Sequence, residues 1–166
     1  RKLPVHDAEG LRPTTDRVKE TLFNWLAQDV PQAKCLDLFA GSGGLGFEAA
    51  SRQADEVTMI ELNPNAFKQL EKNIAALNSD NLTAINSDAL SFLQQAGTPH
   101  HVVFIDPPFR KGLLEQTVTL LDSNGWLAND AMIYIETEKE LALEGIPTNW
   151  HLHREKTAGQ VSYRLF

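Results

Sequence analysis

The feature that most constrains the fold is a regular alternation of short apolar runs with amphipathic segments, which begins near Lys34. We predict strands at 35–40, 57–61, 82–86, 101–106 and 131–136. We predict a helix in each of the four intervals between these runs. The helix after Asn63 has an apolar face at helical spacing, and Asn63 and Asp88 are predicted to cap two of the helices. Strands that alternate with helices in this way indicate a parallel sheet covered on both faces.

The two ends of the chain depart from this alternation. Thr14 or Thr15 can cap a helix that runs to Leu26, and strands are predicted at 150–154 and 161–166, with a tight turn between them. Only antiparallel strands can be joined by so short a turn. The expected architecture is therefore α/β, with a mostly parallel sheet that ends in an antiparallel C-terminal hairpin.

Length and composition narrow the class of protein. We expect a single domain over residues 1–166, with an N-terminal segment and helix at 1–33 and a binding and catalytic core at 34–166. The chain begins at Arg1, so we expect the native N-terminus to be truncated. The single cysteine, Cys35, excludes an intramolecular disulfide and favours the cytoplasm. No apolar run approaches the roughly 18 residues of a membrane span, and the five histidines show no metal-ligand spacing.

The acidic balance, a formal charge of −7, at first argues against a nucleic acid as partner. The charge is unevenly distributed, however: residues 1–34 carry +1, residues 35–149 carry −10 and residues 150–166 carry +2. The ends of the chain could therefore face a polyanion, although solvated helix faces would give the same distribution.

A glycine loop follows the first predicted strand. Gly41, Gly43 and Gly46 fit the pattern G-x-G-x-x-G, which permits a tight turn and lets backbone N–H groups approach a ligand. Glu61 closes the next strand, where a carboxylate can accept hydrogen bonds from both hydroxyls of a ribose. The combination indicates an adenosine-containing cofactor, whereas Glu61 by itself could be a solvated acid at the end of a strand.

The choice of cofactor depends on Asp37, which lies within the first apolar run. A buried carboxylate is costly unless it meets hydrogen-bond donors or a cation. S-adenosylmethionine carries an ammonium and a sulfonium, whereas the pyrophosphate of NAD would be repelled, so Asp37 favours S-adenosylmethionine. Asp37 could instead bind N–H groups of the loop, or do both. Asp88 could contact the adenine amino group or only cap a helix.

The most specific motif is Asp106-Pro107-Pro108-Phe109, directly after the fourth apolar run. Two prolines fix the backbone, and the carboxylate and nearby carbonyls form a rigid cluster of acceptors. Such a cluster suits an exocyclic amine on a planar base, with Phe109 stacked on the ring and a methyl group delivered in line. The alternative is an ordinary proline turn at the end of a strand.

Basic side chains near this motif and near the N-terminus are candidates for RNA contacts. Arg110 and Lys111 could hold the phosphates that flank a flipped base, or could simply begin a helix. Arg12 and Arg17 are further candidates. Cys35 has no neighbouring base and is interpreted as a core residue, which disfavours a cysteine nucleophile.

Several stretches resemble known families. Asp-Leu-Phe-Ala-Gly-Ser-Gly at 37–43 resembles the cofactor motif of class I S-adenosylmethionine-dependent methyltransferases, and 106–109 resembles their amino-methyltransferase motif. Residues 11–26 and 153–165 resemble the RsmD family, bacterial methyltransferases that modify guanine N2 in 16S ribosomal RNA. The motif at 106–109 is shared with adenine-N6 methyltransferases, so it indicates the type of atom attacked and not the base.

The resemblance implies a Rossmann-like class I methyltransferase fold, S-adenosylmethionine as cofactor, and 16S ribosomal RNA or the small subunit as partner. It implies catalytic roles for the residues at 106–109. The residues expected at the cofactor are Asp37, Phe39, Gly41, Ser42, Gly43, Gly46, Glu61, Leu62, Asp88 and Ala89. We expect a monomer without a metal ion or membrane contact. The alternatives are an adenine-N6 methyltransferase acting on DNA or RNA and a non-catalytic nucleotide-binding module.

Overall fold

The computed structural model describes residues 16–107, 111–138 and 143–166. The helices in these ranges are α1 (Asp16–Trp25), α2 (Gly44–Ser51), α3 (Pro64–Leu77), α4 (Ala89–Leu93) and α5 (Lys111–Ser123). The strands are β1 (Lys34–Asp37), β2 (Glu56–Glu61), β3 (Leu82–Asn86), β4 (His100–Ile105), β5 (Leu127–Glu138), β6 (Arg154–Ala158) and β7 (Val161–Leu165). None of the helices described is long and apolar enough to cross a membrane.

All seven strands belong to one sheet with the order β3-β2-β1-β4-β5-β7-β6. The first five pair in parallel, whereas β7 is antiparallel to both of its neighbours, β5 and β6. The predicted mixed sheet is therefore confirmed. The chain order reverses between β1 and β4, and ligands of open α/β sheets bind beyond the carboxyl ends of the strands at such a reversal.

Alternating side chains of the strands build two apolar cores, one on each face of the sheet. Cys35, Phe104 and Tyr134 point into the first core, which α1, α2 and α3 cover. Leu36 and Ile105 point into the second core, which α4 and α5 cover. This arrangement explains why the strands read as continuous apolar runs, since both of their faces are buried.

The two helix caps predicted from the sequence are confirmed. Oδ1 of Asn63 accepts hydrogen bonds from the backbone N–H groups of Asn65 and Ala66, at 2.9 and 3.0 Å, and Pro64 occupies the first turn of α3. Asp88 caps α4 in the same manner. Both caps fix the direction in which the chain leaves the carboxyl edge of the sheet, because they set where the following helix begins.

The predicted strand at 150–154 is wrong, because only Arg154 of that range is in a strand. The two-residue turn at 159–160 pairs Ala158 with Val161, so the partner of β7 must be the five residues before the turn. The indole N–H of Trp150 instead donates to Asp122 Oδ1 at 3.1 Å. The first strand is also shorter than predicted and ends at Asp37, since the next two residues form a turn.

The contact of α2 with β2 depends on a glycine. A Cβ at position 46 would lie 2.6 Å from Sδ of Met59, which is fully buried. We expect Gly46→Ala to lower the free energy of unfolding in urea by about 1–3 kcal/mol through overpacking. Gly44→Ala is the matched control, because a Cβ there meets nothing within 4 Å, and its stability should stay equal or rise by up to about 1 kcal/mol. Equal losses in both variants would contradict this account.

Candidate functional site

Four acidic residues lie where neighbouring strands reach the carboxyl edge of the sheet. They are Glu61 on β2, Asp37 on β1, Asp106 directly after β4 and Glu136 on β5. The strand order β2-β1-β4-β5 arranges them in this order along the edge. We refer to these four residues as the carboxylate row.

Three residues of the carboxylate row lie on one face of the sheet. Side chains two positions apart along a strand point to the same face. Each acid follows by two positions a buried residue of the first core, and these residues are Met59, Cys35, Phe104 and Tyr134. Glu61, Asp37 and Glu136 therefore continue the face that α1, α2 and α3 cover, and Asp106 follows directly after the last residue of β4.

Asp37 is the most unusual member of the row. It is 1% exposed, and neither carboxylate oxygen has a hydrogen-bond partner. Burial, together with the nearby charge of Glu61, raises its pKa from 3.8 to about 7, while the backbone amides of Phe39 and Gly46 face it and oppose the rise. Neither amide forms a full hydrogen bond to Asp37, although both are close enough to lower its pKa. The two amides therefore offset the buried charge only in part, and the pKa stays raised.

Glu61 connects the glycine loop to the exit of β2. Its Oε1 accepts from the backbone N–H of Gly41 at 2.7 Å, and its Oε2 accepts from Asn63 at 2.9 Å. The residue is 6% exposed, so it is not the solvated acid of the alternative interpretation. A carboxylate offers about four acceptor positions, so Glu61 can hold both backbone amides and still accept from hydroxyl groups.

The glycine loop needs its glycines for two reasons. Gly41 and Gly43 have φ values of 58° and 87°, in the left-handed region that side chains disfavour. A Cβ at Gly43 would also overlap the ring of Phe47 and lie 2.7 Å from Leu70. The loop is thus tightly packed beneath, while Ser42 at its centre remains partly exposed.

The residues at the end of β2 belong to the same part of the site as Glu61. Leu62 is 64% exposed and places an apolar side chain directly beside Glu61. The side-chain amide of Asn86 donates to the carbonyl oxygens of Glu61 and Leu62, at 2.9 and 3.0 Å, and so fixes the end of β2. Asn86 was not predicted from the sequence, because an asparagine at the end of a strand has no characteristic spacing from other residues.

Asp88 and Ala89 follow β3 at the same edge. Oδ2 of Asp88 accepts from the N–H of Ser91 at 3.1 Å, which confirms its capping role. Ala89 is buried beneath it. The contact of Asp88 with adenine stays a prediction.

The structure describes the motif at 106–109 only in part. Asp106 is partly exposed and Pro107 is buried at the end of β4. Pro108, Phe109, Arg110 and Arg12 lie outside the described residues, as does the side chain of Lys111. Arg17 is exposed in the first turn of α1.

Next to Asp106, the structure reveals a pair that the sequence argument missed. The hydroxyl of Tyr134 donates to Oε1 of Glu136 at 2.7 Å, and both residues are buried. Burial, and then the charges of Glu136 and Asp106, raise the pKa of Tyr134 well above its ordinary value. A signal existed in the sequence, because Glu136 closes a predicted apolar run as Glu61 and Asp106 do.

The described residues support neither a cysteine nucleophile nor a group of metal ligands. Burial, assisted by Asp37, raises the pKa of Cys35 to about 12, so this residue remains a thiol at neutral pH. Among residues 16–107, 111–138 and 143–166, no three His, Cys, Asp or Glu side chains are grouped as metal ligands. The arrangement instead offers carboxylates to a cationic or N–H-bearing ligand.

The raised pKa of Asp37 predicts a pH-dependent stability. The folded protein keeps the Asp37 proton up to about pH 7, whereas the unfolded chain loses it near pH 4. This contribution is complete below pH 4 and is lost as the pH rises through 7. Between pH 4 and pH 8, Asp37→Asn should gain on the order of 4 kcal/mol relative to wild type in urea unfolding of the cofactor-free protein. Parallel curves for the two proteins would refute the assignment.

Comparisons with known proteins identify the family of the chain. The family model described as conserved hypothetical protein 95 matches residues 1–166. The chain is 61% identical to ribosomal RNA small subunit methyltransferase D of Escherichia coli, over 100% of this chain and 84% of that protein. It is 55% identical to the protein of the same name from Haemophilus influenzae, over 100% of this chain and 88% of that protein.

Solved structures give the same result for the fold. A structure from Escherichia coli described as a methyltransferase has a TM-score of 0.92 and 61% identity, over 99% of this chain and 90% of its own. An RNA methyltransferase of Salinibacter ruber in complex with S-adenosyl-L-homocysteine shares the fold, with a TM-score of 0.72 and 15% identity over 93% of this chain and 92% of its own. The chain belongs to the RsmD family of bacterial methyltransferases.

Proposed function

We propose that the protein transfers a methyl group from S-adenosylmethionine to the exocyclic N2 amine of a guanine in 16S ribosomal RNA. The observation that carries this proposal is the buried carboxylate of Asp37, which has no hydrogen-bond partner and lies beside the glycine loop. The names of the relatives, which refer to the ribosomal small subunit, support the choice of RNA.

The residues present fit the cofactor. The ammonium and sulfonium of S-adenosylmethionine would supply the positive charge that Asp37 lacks, and the loop at 41–46 would hold the methionine end. Glu61 has acceptor positions for the ribose hydroxyls, and the exposed Leu62 offers an apolar surface for the adenine. When bound, S-adenosylmethionine supplies an electrophilic methyl group. We propose that Asp88 accepts a hydrogen bond from the amino group of the adenine.

The part of the site around Asp106, directly after β4, would hold the target amine. Asp106 and the carbonyl oxygen of Pro107 would accept hydrogen bonds from the N–H groups of the amine, which directs its lone pair at the methyl group. Phe109 would stack on the base. The methylated nitrogen carries a positive charge and loses a proton to Asp106 or to water, so the chain needs no strong base.

The substrate is large and carries many phosphates. Arg17 lies exposed on α1, and we propose that it contacts the RNA together with Arg12, Arg110 and Lys111. The −10 charge of residues 35–149 does not oppose this role, because it includes the carboxylate row and Asp88. We propose that the protein acts as a monomer in the cytoplasm.

Removing the carboxylate of Asp106 separates transfer from cofactor binding. Asp106→Ala should lower methyl transfer by at least about 10²-fold, because the amine is no longer oriented. The dissociation constant for S-adenosylmethionine should change less than about threefold, since the cofactor residues are on β1 and β2. The assay uses labelled cofactor and small subunits from a strain that lacks the enzyme, followed by nucleoside analysis.

Two outcomes of this assay would contradict the proposal. A labelled product other than N2-methylguanosine would exclude guanine N2 as the target. Undiminished transfer by Asp106→Ala would remove Asp106 from its role. Glu56→Gln at the amino end of β2 is the control, because Glu56 is exposed at the opposite edge of the sheet and its removal should leave transfer unchanged.

A further inference from the structure

The carboxylate row contains one acid for which neither the cofactor nor the amine supplies a role. We propose that Glu136 accepts a hydrogen bond from N1–H of the target guanine and thereby selects guanine over adenine. This inference rests on the proposed function, because it concerns the base that enters the same site. It adds a specificity determinant beyond the motif at 106–109.

The pairing of β4 with β5 places Glu136 beside Asp106. Ile105 is in register with Ile135, so the next residue on each strand lies at the same level of the carboxyl edge. Neighbouring strands are about 4.8 Å apart. Glu136 lies on the same face of β5 as Tyr134, a buried residue of the first core, and it is level with Asp106 at this edge. In our proposal the base enters beside these two residues.

The hydroxyl of Tyr134 fixes the orientation of the Glu136 carboxylate. Tyr134 is itself held between the rings of Phe104 and Tyr163, with ring centroids 6.4 Å away in each case. Its hydroxyl donates to Oε1 of Glu136, a residue that is 5% exposed. A carboxylate has about four acceptor positions, so this bond leaves capacity for a further donor. The result is an acceptor held rigidly at the edge of the site.

The chemistry of the two purines explains why an acceptor at this place discriminates between them. Guanine presents N1–H beside its N2 amine, so its edge carries only donors there, and two adjacent carboxylates complement it. The N1 of adenine is an acceptor and would oppose Glu136. A site built to pair a polar group can reject an analogue that leaves that group unpaired by about 10⁴-fold. The motif at 106–109, by contrast, accepts either amine.

The test uses two RNAs and two proteins. One RNA is a synthetic 16S fragment that contains the target guanine, and the other carries 2-aminopurine there, which keeps the amine but has an acceptor at N1. Wild type should prefer guanine by at least about 10²-fold in kcat/KM. In Glu136→Gln the amide oxygen should take the position that faces Tyr134, so the NH₂ group faces the base. The preference should then fall at least tenfold.

The ratio of the two rates separates specificity from a loss of structure. A purely structural role would lower both rates by the same factor, and that result would overturn the inference, as would equal rates of wild type on the two RNAs. Glu56→Gln is the matched control and should keep the wild-type ratio. If Glu136→Gln fails to fold, Tyr134→Phe must lower the same ratio, since it releases Oε1, and an unchanged ratio refutes the role. Wild type that methylates neither RNA and also fails to methylate small subunits would refute the proposed function instead.

Discussion

A buried carboxylate without a hydrogen-bond partner is the constraint on which the site depends. Asp37 is placed at the end of β1 and is 1% exposed. Burial raises its pKa, and the charge of another acid, Glu61, adds to the cost of ionising Asp37 and raises the pKa further. With a pKa of about 7, Asp37 in the cofactor-free protein holds a proton below that pH, and in our account a cationic ligand would replace that proton. We therefore expect the positive charge of the cofactor to compensate the buried carboxylate of Asp37.

The topology of the sheet divides the carboxylate row into two halves. Chain order reverses between β1 and β4, so Glu61 and Asp37 lie on one side of the reversal and Asp106 and Glu136 lie on the other. In our account the first half holds the donor of the methyl group, and the second half holds its acceptor. In this account four of the acidic residues in 35–149 have a role in the site, so net charge alone is a poor guide to the partner.

Local pattern was enough to predict the caps at Asn63 and Asp88, because each depends on residues that are close in the chain. The alternation of apolar and amphipathic segments was enough to predict the parallel sheet, although the turn after β1 begins earlier than predicted. The start of β6 was not predictable from apolar residues, since the turn at 159–160 sets its register. The bond between Tyr134 and Glu136 was missed for a different reason. Both residues lie within one apolar run, and their position beside Asp106 depends on the pairing of β4 with β5.

The central claim is that S-adenosylmethionine replaces the proton on Asp37, and proton release on binding tests it most directly. Calorimetric titration at pH 6 in two buffers of different ionisation enthalpy gives the number of protons released. With a pKa of about 7, Asp37 in the free protein is largely protonated at that pH. The account predicts that binding to wild type releases about one proton and that binding to Asp37→Asn releases almost none. Equal proton release by the two proteins would contradict it.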